Sequence, residues 1–338
     1  MAGADPPPPT PHGRSSLVSS LSYLEATVVG AFQGVTELFP VSSLGHSVLV
    51  PALIGGRWAR DLNVSAPESP YLAFIVGLHV ATAAALLLFF WRDWVLVLTG
   101  LYTSVRYRRI QTTGERLAWL LIVGTIPVAI AGLALEHTFR TTLGRPIPAA
   151  AFLVVNGVLL YAGERLRRRV DAGPDRRSAG ANPMMAGGEA AAARRRAETT
   201  TATQDSGIDE RLAQTPLGRG ALIGAAQALA LLPGISRSGV TMTAGLLRGL
   251  THDEAARFSF LLATPVILAA GVLKLPDLFG PLGAGIGGPV LAGSVASFVS
   301  AYFAVRFLTK YFHTRTLTPF AVYCVLAGIA SLLWLTLR

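Results

Sequence analysis

The 338 residues of this chain are 51% hydrophobic and only 14% charged, with a formal net charge of +10 and a mean hydropathy of +0.50. A soluble domain carries about 25% charged residues, so the composition excludes one and indicates a polytopic membrane protein. No basic and aromatic surface motif accompanies the positive charge, which argues against a nucleic-acid partner, and a lone Cys324 excludes an internal disulfide and a cytosolic-type zinc site.

Residues 1–23, opening MAGADPPPPTPHGRSS, are expected to be a disordered tail, being too rich in Pro and small polar residues to bury a core. They lack the n-region, h-region and cleavage site of a cleaved signal peptide. Leu24 to Leu38 is apolar but shorter than the about 20 residues a bilayer crossing needs. Pro40 ends it, and Leu44 to Ile54 supplies a second short limb. Together they read as a re-entrant hairpin with a non-helical tip at Phe39 to Ser43, tolerated at membrane depth only where protein or a water-filled cavity satisfies the backbone.

Gly55 to Pro70 reads as a polar loop. Full spans are expected at Tyr71 to Trp91, Leu117 to Leu135 and Ala149 to Gly163, with the amphipathic stretch Trp94 to Arg106 along the interface. Residues 164–216 carry RLRRR, DRR and ARRR clusters without apolar periodicity, the composition of a basic disordered cytoplasmic linker lying near anionic lipid. A second broken segment, Leu217 to Leu250, precedes spans at Arg257 to Leu275, Pro289 to Phe307 and Leu317 to Leu337.

The two broken segments repeat each other. Gly30 to Ser47 and Gly224 to Thr241, aligned without a gap at an offset of 194, share Gly30/Gly224, Ala31/Ala225, Gln33/Gln227, Leu38/Leu232, Ser42/Ser236 and Gly45/Gly239. The expected fold is therefore an all-α inverted-topology repeat, residues 24–163 and 217–338, each with one broken hairpin and three spans. An odd number of spans starts the second half on the opposite face. With the first hairpin dipping in from outside, the inside segments hold 20 Lys and Arg against 7 outside, in accord with the positive-inside rule. Both termini are then outside.

Glu37, His46 and Arg237 lie within or beside apolar segments, where a charge costs at least about 2.5–3.5 kcal/mol and usually marks function. A plain internal ion pair of Glu37 with Arg237 is the structural alternative. Gln33 and Glu37, four apart, share a helix face and could hold Mg²⁺ or Ca²⁺ through oxygen ligands. A helix-to-helix hydrogen bond is the other use of Gln33, as of its repeat partner Gln227. At the second break, Ser236, Arg237, Ser238 and Thr241 put a forked cation, small donors and flexible amides together, a cradle for phosphate oxygens, with Ser42 at the matching place of the first break. His79, inside a span without an ionisable neighbour in sequence, is assigned to helix packing or to support of a site residue.

GVTELFPVSSLGH and LLPGISRSGVT resemble the two signatures of the bacterial undecaprenyl-diphosphate phosphatase family, integral-membrane enzymes linked to bacitracin resistance. The resemblance runs from about Leu24 to the C-terminus, with LHVAT around His79 and FSFLLATP from Phe258, and omits the tail and the Arg-rich linker. The family's first signature opens with an acid or Gln four residues before an obligatory Glu. This chain has Gln33 with Glu37, so a scheme needing two carboxylates there does not transfer.

The resemblance implies removal of the terminal phosphate of undecaprenyl diphosphate, returning the lipid carrier to cell-wall synthesis, with catalytic roles for Glu37, Ser43, His46, Ser236, Arg237 and Thr241. Two schemes stay open: Ser43 as a nucleophile activated by His46 or Glu37, slightly preferred, or water activated by Glu37 with His46 as acid. The expected partners are a polyprenyl diphosphate and the bilayer of the bacterial cell membrane, the site opening to the outer face, with a homodimer left open. A lipid flippase or secondary transporter is the first alternative, because broken helices in inverted repeats are transporter architecture. A scaffold or cation channel is the second, and it would not need the Ser-Arg-Ser cluster.

Overall fold

The computed structural model describes residues 21–62, 70–171, 207–280 and 285–337, and every regular element among them is helical. The expected tail up to residue 20 and residues 172–206 of the expected linker lie outside the described residues.

A capping box opens α1 (Tyr23–Leu38): the Ser22 side chain accepts from the Glu25 amide and Glu25 accepts from the Ser22 amide. The helix stops ahead of Pro40, and α2 (Ser43–Ile54) follows after a short break. Within the expected loop, α3 (Gly56–Asp61) adds a single short helix. Next come α4 (Pro70–Phe89), α5 (Trp91–Tyr107), α6 (Thr113–Leu143) and α7 (Pro146–Asp171). The second half holds α8 (residues 207–213), α9 (Leu217–Ala226), a 3₁₀ turn (Gln227–Leu231), α10 (Arg237–Leu247), α11 (His252–Phe279), α12 (Gly287–Phe312) and α13 (Thr318–Leu337).

Five of these helices, α6, α7, α11, α12 and α13, are long and apolar enough to cross a membrane. The expected first span is α4, which passes the same test together with α5, the two meeting at a bend of 86°. This is a multi-pass membrane protein. Leu133, Leu273, Leu291 and Leu326 are exposed on the outside of the bundle, where lipid tails are their natural solvent. α5 leaves Trp91, Val95, Leu98 and Tyr102 exposed, the pattern of an interfacial helix.

Helix packing follows a reciprocal scheme. α1 lies on α12 and α9 lies on α6, while α4 packs on α11 and α7 on α13. The crossings of α1 and α9 are made by glycine. A Cβ placed on Gly30 would sit 2.1 Å from the Gly293 carbonyl oxygen, and one on Gly224 would sit 1.9 Å from that of Gly124. Backbones this close admit no side chain, the small-residue mode by which membrane helices gain contact. Gly30 and Gly224 are matched positions of the sequence repeat.

Several helices outrun the expected spans. α7 continues to Asp171, so the RLRRR cluster expected in a disordered linker begins as helix. Its Glu164 accepts from Arg168 one turn on at 3.1 Å and bonds His252 at 2.8 Å. Residues 207–213, also assigned to the linker, are helical because Ile208 and Leu212 are buried in the core and Asp209 is bonded to Arg257. The physical reason is common to both: apolar content sets the spans, but pairing and burial beyond the apolar stretch keep helix formation favourable. Arg257, itself buried, also bonds Asp93 at the start of α5. Arg211 to Glu254, and Asp253 to His313 at 2.9 Å, complete a belt of ion pairs around the start of α11.

Over-packing a close helix crossing costs about 1–3 kcal/mol and more where backbone cannot yield. Gly30→Val and Gly224→Val are each expected to lower the melting temperature of the detergent-purified protein. Melting of Gly224→Val at the parent temperature would contradict the α9 to α6 crossing.

Candidate active site

The same local device makes both helix breaks. In the first, Phe39 is extended and Ser42 takes a positive φ of 69°, so its hydroxyl can accept from the Gly45 amide at 3.2 Å and cap α2. In the second, the chain turns at Gly234 (φ 110°), and Ser236 caps α10 by accepting from the Gly239 amide at 3.2 Å. Side-chain oxygens of this kind take up the free donors of a helix start. Ser42/Ser236 and Gly45/Gly239 are two of the repeat pairs, so sequence identity across the halves encodes the same capping hydrogen bond, on a backbone that is left-handed at Ser42 and extended at Ser236.

The two tips touch. A Cβ on Gly45 would lie 2.8 Å from the Gly234 Cα. Ser238 Oγ donates to the Phe39 carbonyl at 3.1 Å and lies 3.0 Å from Ser236 Oγ. From α7, Asn156 Nδ2 donates to the Pro40 carbonyl at 3.1 Å, and its Oδ1 accepts from the Ser236 amide at 2.9 Å. The second break thus satisfies backbone of the first, and Asn156 satisfies backbone of both.

Glu37, on the last turn of α1, sits at the centre of this contact with its side chain 7% exposed. Arg237 Nη2 donates to Glu37 Oε1 at 2.9 Å. Ser43 Oγ donates to Glu37 Oε2 at 2.5 Å, and Gln33 Nε2 donates to the same oxygen at 3.0 Å. His79 on α4 hydrogen-bonds the Ile75 carbonyl through Nδ1 at 2.8 Å. Its Nε2 is turned to Glu37 Oε2 at 3.4 Å and to Gln33 Nε2 at 3.3 Å. One carboxylate therefore holds a cation, a hydroxyl, an amide and an imidazole, while the other guanidinium terminus, Nη1 of Arg237, is buried without a hydrogen-bond partner among the described residues.

Other expected site residues stand in a second shell of bonds or apart. His46 does not bond Glu37 or Ser43: its Nδ1 donates to the Ser42 carbonyl at 2.7 Å, and its Nε2 meets the Tyr323 hydroxyl of α13 at 2.8 Å. Phe32 stands edge-on to the His46 ring at 5.5 Å, and Tyr323 stacks on it at 5.8 Å. Thr241, fully buried, donates to the Arg237 carbonyl at 2.7 Å and holds its own helix turn. Of the hydroxyls expected to cradle phosphate, Ser42, Ser236, Ser238 and Thr241 are all committed to backbone or to one another. Gln227, the repeat partner of Gln33, is buried with neither amide atom bonded among the described residues, so it makes no helix-to-helix bond there.

Gln33 and Glu37, the pair offered for Mg²⁺ or Ca²⁺, are bonded to each other with a guanidinium alongside. Among the described residues no group of three or more His, Cys, Asp or Glu side chains converges. A single carboxylate is far short of the six or more oxygens these cations take, so the described residues alone do not form a cation cage. Sequence reasoning missed Asn156 and Tyr323 and left His79 without its contact to Glu37. For Asn156 a signal was present, since it is the one polar side chain in the run Ala149 to Leu160.

A family profile described as Bacitracin resistance protein BacA matches residues 26–330. The chain is 69% identical over 322 residues to the protein of Mycolicibacterium paratuberculosis named undecaprenyl-diphosphatase, covering 95% of this chain and 100% of that one. The protein of Mycobacterium avium with the same name is likewise 69% identical over 322 residues, with coverage of 95% and 100%. Undecaprenyl-diphosphatase 1 of Frankia casuarinae is 54% identical over 361 residues, covering 92% of this chain and 97% of that one.

Removing one member of a buried ion pair costs about 3–5 kcal/mol, whereas replacing both by apolar groups is often neutral. Arg237→Leu is expected to lower the melting temperature in detergent, and Glu37→Leu added to it is expected to recover most of the loss. A double variant whose loss equals the sum of the Arg237→Leu and Glu37→Leu losses would show that the two side chains are not coupled.

Proposed function

The chain belongs to the bacitracin resistance protein BacA family, and from that membership we propose that it is an undecaprenyl-diphosphate phosphatase, releasing phosphate from undecaprenyl diphosphate. The product, undecaprenyl phosphate, returns to peptidoglycan synthesis as lipid carrier, and restoring that carrier confers resistance to bacitracin. The observation that carries the reading is the meeting of Ser43, Glu37 and Arg237, with a buried guanidinium terminus still free to donate.

The chemistry follows from those contacts. Arg237 binds the terminal phosphoryl oxygens through Nη1 and neutralises the charge that builds on them, the main demand in phosphoryl transfer. Glu37 Oε2, on the Ser43 hydroxyl, takes the Ser43 proton as Oγ attacks the terminal phosphorus. The bond from that phosphorus to the bridging oxygen breaks, and the bridging oxygen leaves with the lipid monophosphate. Glu37 passes that proton to the departing lipid monophosphate. Water then attacks the phosphoserine phosphorus, and Glu37 takes the water proton and returns it to Ser43 Oγ as the bond from phosphorus to Oγ breaks. In the alternative scheme Glu37 activates water directly. In that scheme His46, whose Nε2 is hydrogen-bonded with the Tyr323 hydroxyl, is the acid and gives its proton to the leaving bridging oxygen. Ser236, Ser238, Thr241 and Ser42 contribute by fixing the loops that carry these groups.

Gln33 and Glu37 would be the protein's own oxygen ligands to a divalent cation, Mg²⁺ or Ca²⁺. When bound, it would share in neutralising phosphate charge. The fold is an inverted repeat of two re-entrant hairpins, supported by the matched caps and the matched glycine crossings of α1 and α9. In the same reading the protein lies in the bacterial cell membrane with the first hairpin opening outward and the α11 ion-pair belt on the cytoplasmic side, an orientation that the positive-inside count supports.

Phosphate release from undecaprenyl and farnesyl diphosphates in detergent, where no gradient exists, tests the enzyme against a flippase or transporter. Arg237→Ala is expected to reduce the rate by at least about 10²-fold, and chelation to reduce it reversibly. A trapped phosphoenzyme that disappears in Ser43→Ala supports the serine scheme, while full activity of Ser43→Ala ends it. The native Cys324 is buried, and position 43 is half-buried where 46 is buried, so Ser43→Cys is the cleaner probe: a membrane-impermeant thiol reagent is expected to label it from outside. Labelling only from inside would reverse the orientation.

A further inference from the structure

We propose that Asn156 is the positioning residue that sets the two halves of the site in register. It lies mid-way along α7 with no exposed surface. The residue touches no reacting group, and its effect passes through backbone. Nδ2 holds the Pro40 carbonyl of the first break, three residues from both Glu37 and Ser43, while Oδ1 holds the amide of Ser236, the residue before Arg237. The second amide proton faces Cys324 Sγ on α13 at 3.3 Å.

The two bonds have opposite polarity, and that is what an amide supplies. A carboxylate would accept from Ser236 but could not donate to Pro40; an aliphatic side chain of the same size would do neither. No other side chain among the described residues bonds backbone of both breaks except Ser236 and Ser238, which belong to the second break itself. The helices behind the tips cannot substitute, because each break ends the intrahelical bonding that would otherwise fix its direction. With Asn156 gone, the Glu37 and Ser43 pair and the Arg237 guanidinium are free to shift against each other. Misplacement of about 1 Å in such a constellation costs about 10²-fold in rate.

This inference rests on the proposed phosphatase reaction. Its test measures kcat and KM for phosphate release from undecaprenyl diphosphate by the purified full chain, alongside melting and size-exclusion behaviour. Asn156→Leu removes both bonds and Asn156→Asp only the donor; Cys324→Ala removes the thiol contacts to Asn156 and to the Pro40 carbonyl. Both Asn156 variants are expected to lose about 10²-fold in kcat while KM changes by less than about threefold, the mark of a group felt in the transition state rather than in binding. Cys324→Ala is expected to keep the parent constants. If Asn156→Leu does not fold, Asn156→Asp decides the matter. A kcat within about threefold of the parent, or losses in kcat that only track the folded fraction, would overturn the proposal. A parent that releases no phosphate removes the proposed reaction and this inference together, whereas an active parent with unimpaired Asn156 variants removes the inference alone.

Discussion

Breaking a helix inside an apolar medium exposes amides and carbonyls that have no water to turn to, and the architecture of this protein is a solution to that constraint. The Phe39 and Pro40 carbonyls are met by Ser238 and Asn156, and the Ser236 amide by Asn156. Neither break is satisfied alone. The two tips are therefore obliged to meet, and their meeting carries Glu37 against Arg237. Buried unpaired, either charge would be strongly unfavourable; together they form the contact on which the chemistry is built.

That origin explains why the polar groups fall into two kinds. Hydroxyls on the breaks are mostly occupied in holding backbone: Ser42 and Ser236 as caps, Ser238 on the opposite tip, Thr241 on its own turn. The groups left for substrate are few, and they surround one carboxylate. In the proposed reaction, diphosphate bound at Arg237 Nη1 would draw the guanidinium toward phosphate. The Glu37 carboxylate would then lose part of its pairing and become a better base for Ser43. Binding and activation would thus be linked through a single ion pair.

Much of this was legible in the chain. The Pro and Gly interruptions, the repeated Gly30/Gly224, Ser42/Ser236 and Gly45/Gly239, and the intramembrane Glu37 and Arg237 each have a local cause that sequence spacing exposes. What was not legible depends on which helices become neighbours. His79 meets Glu37 only because α4 passes behind α1, and Tyr323 meets His46 only because α13 flanks α2. Asn156 bears no mark of spacing at all beyond being polar among apolar neighbours. Helix ends were the other blind spot: α7 runs through RLRRR and residues 207–213 fold because Arg257 and the core hold them, effects that hydropathy does not register.

The clasp of Arg257 on Asp93 and Asp209 has an engineering corollary. It moors the chain immediately ahead of α9, while Glu164 and His252 moor the end of α7, so both edges of the stretch 172–206 are anchored independently of its contents. Helix ends held by their own ion pairs on either side make that stretch a natural place to graft a reporter or an affinity handle.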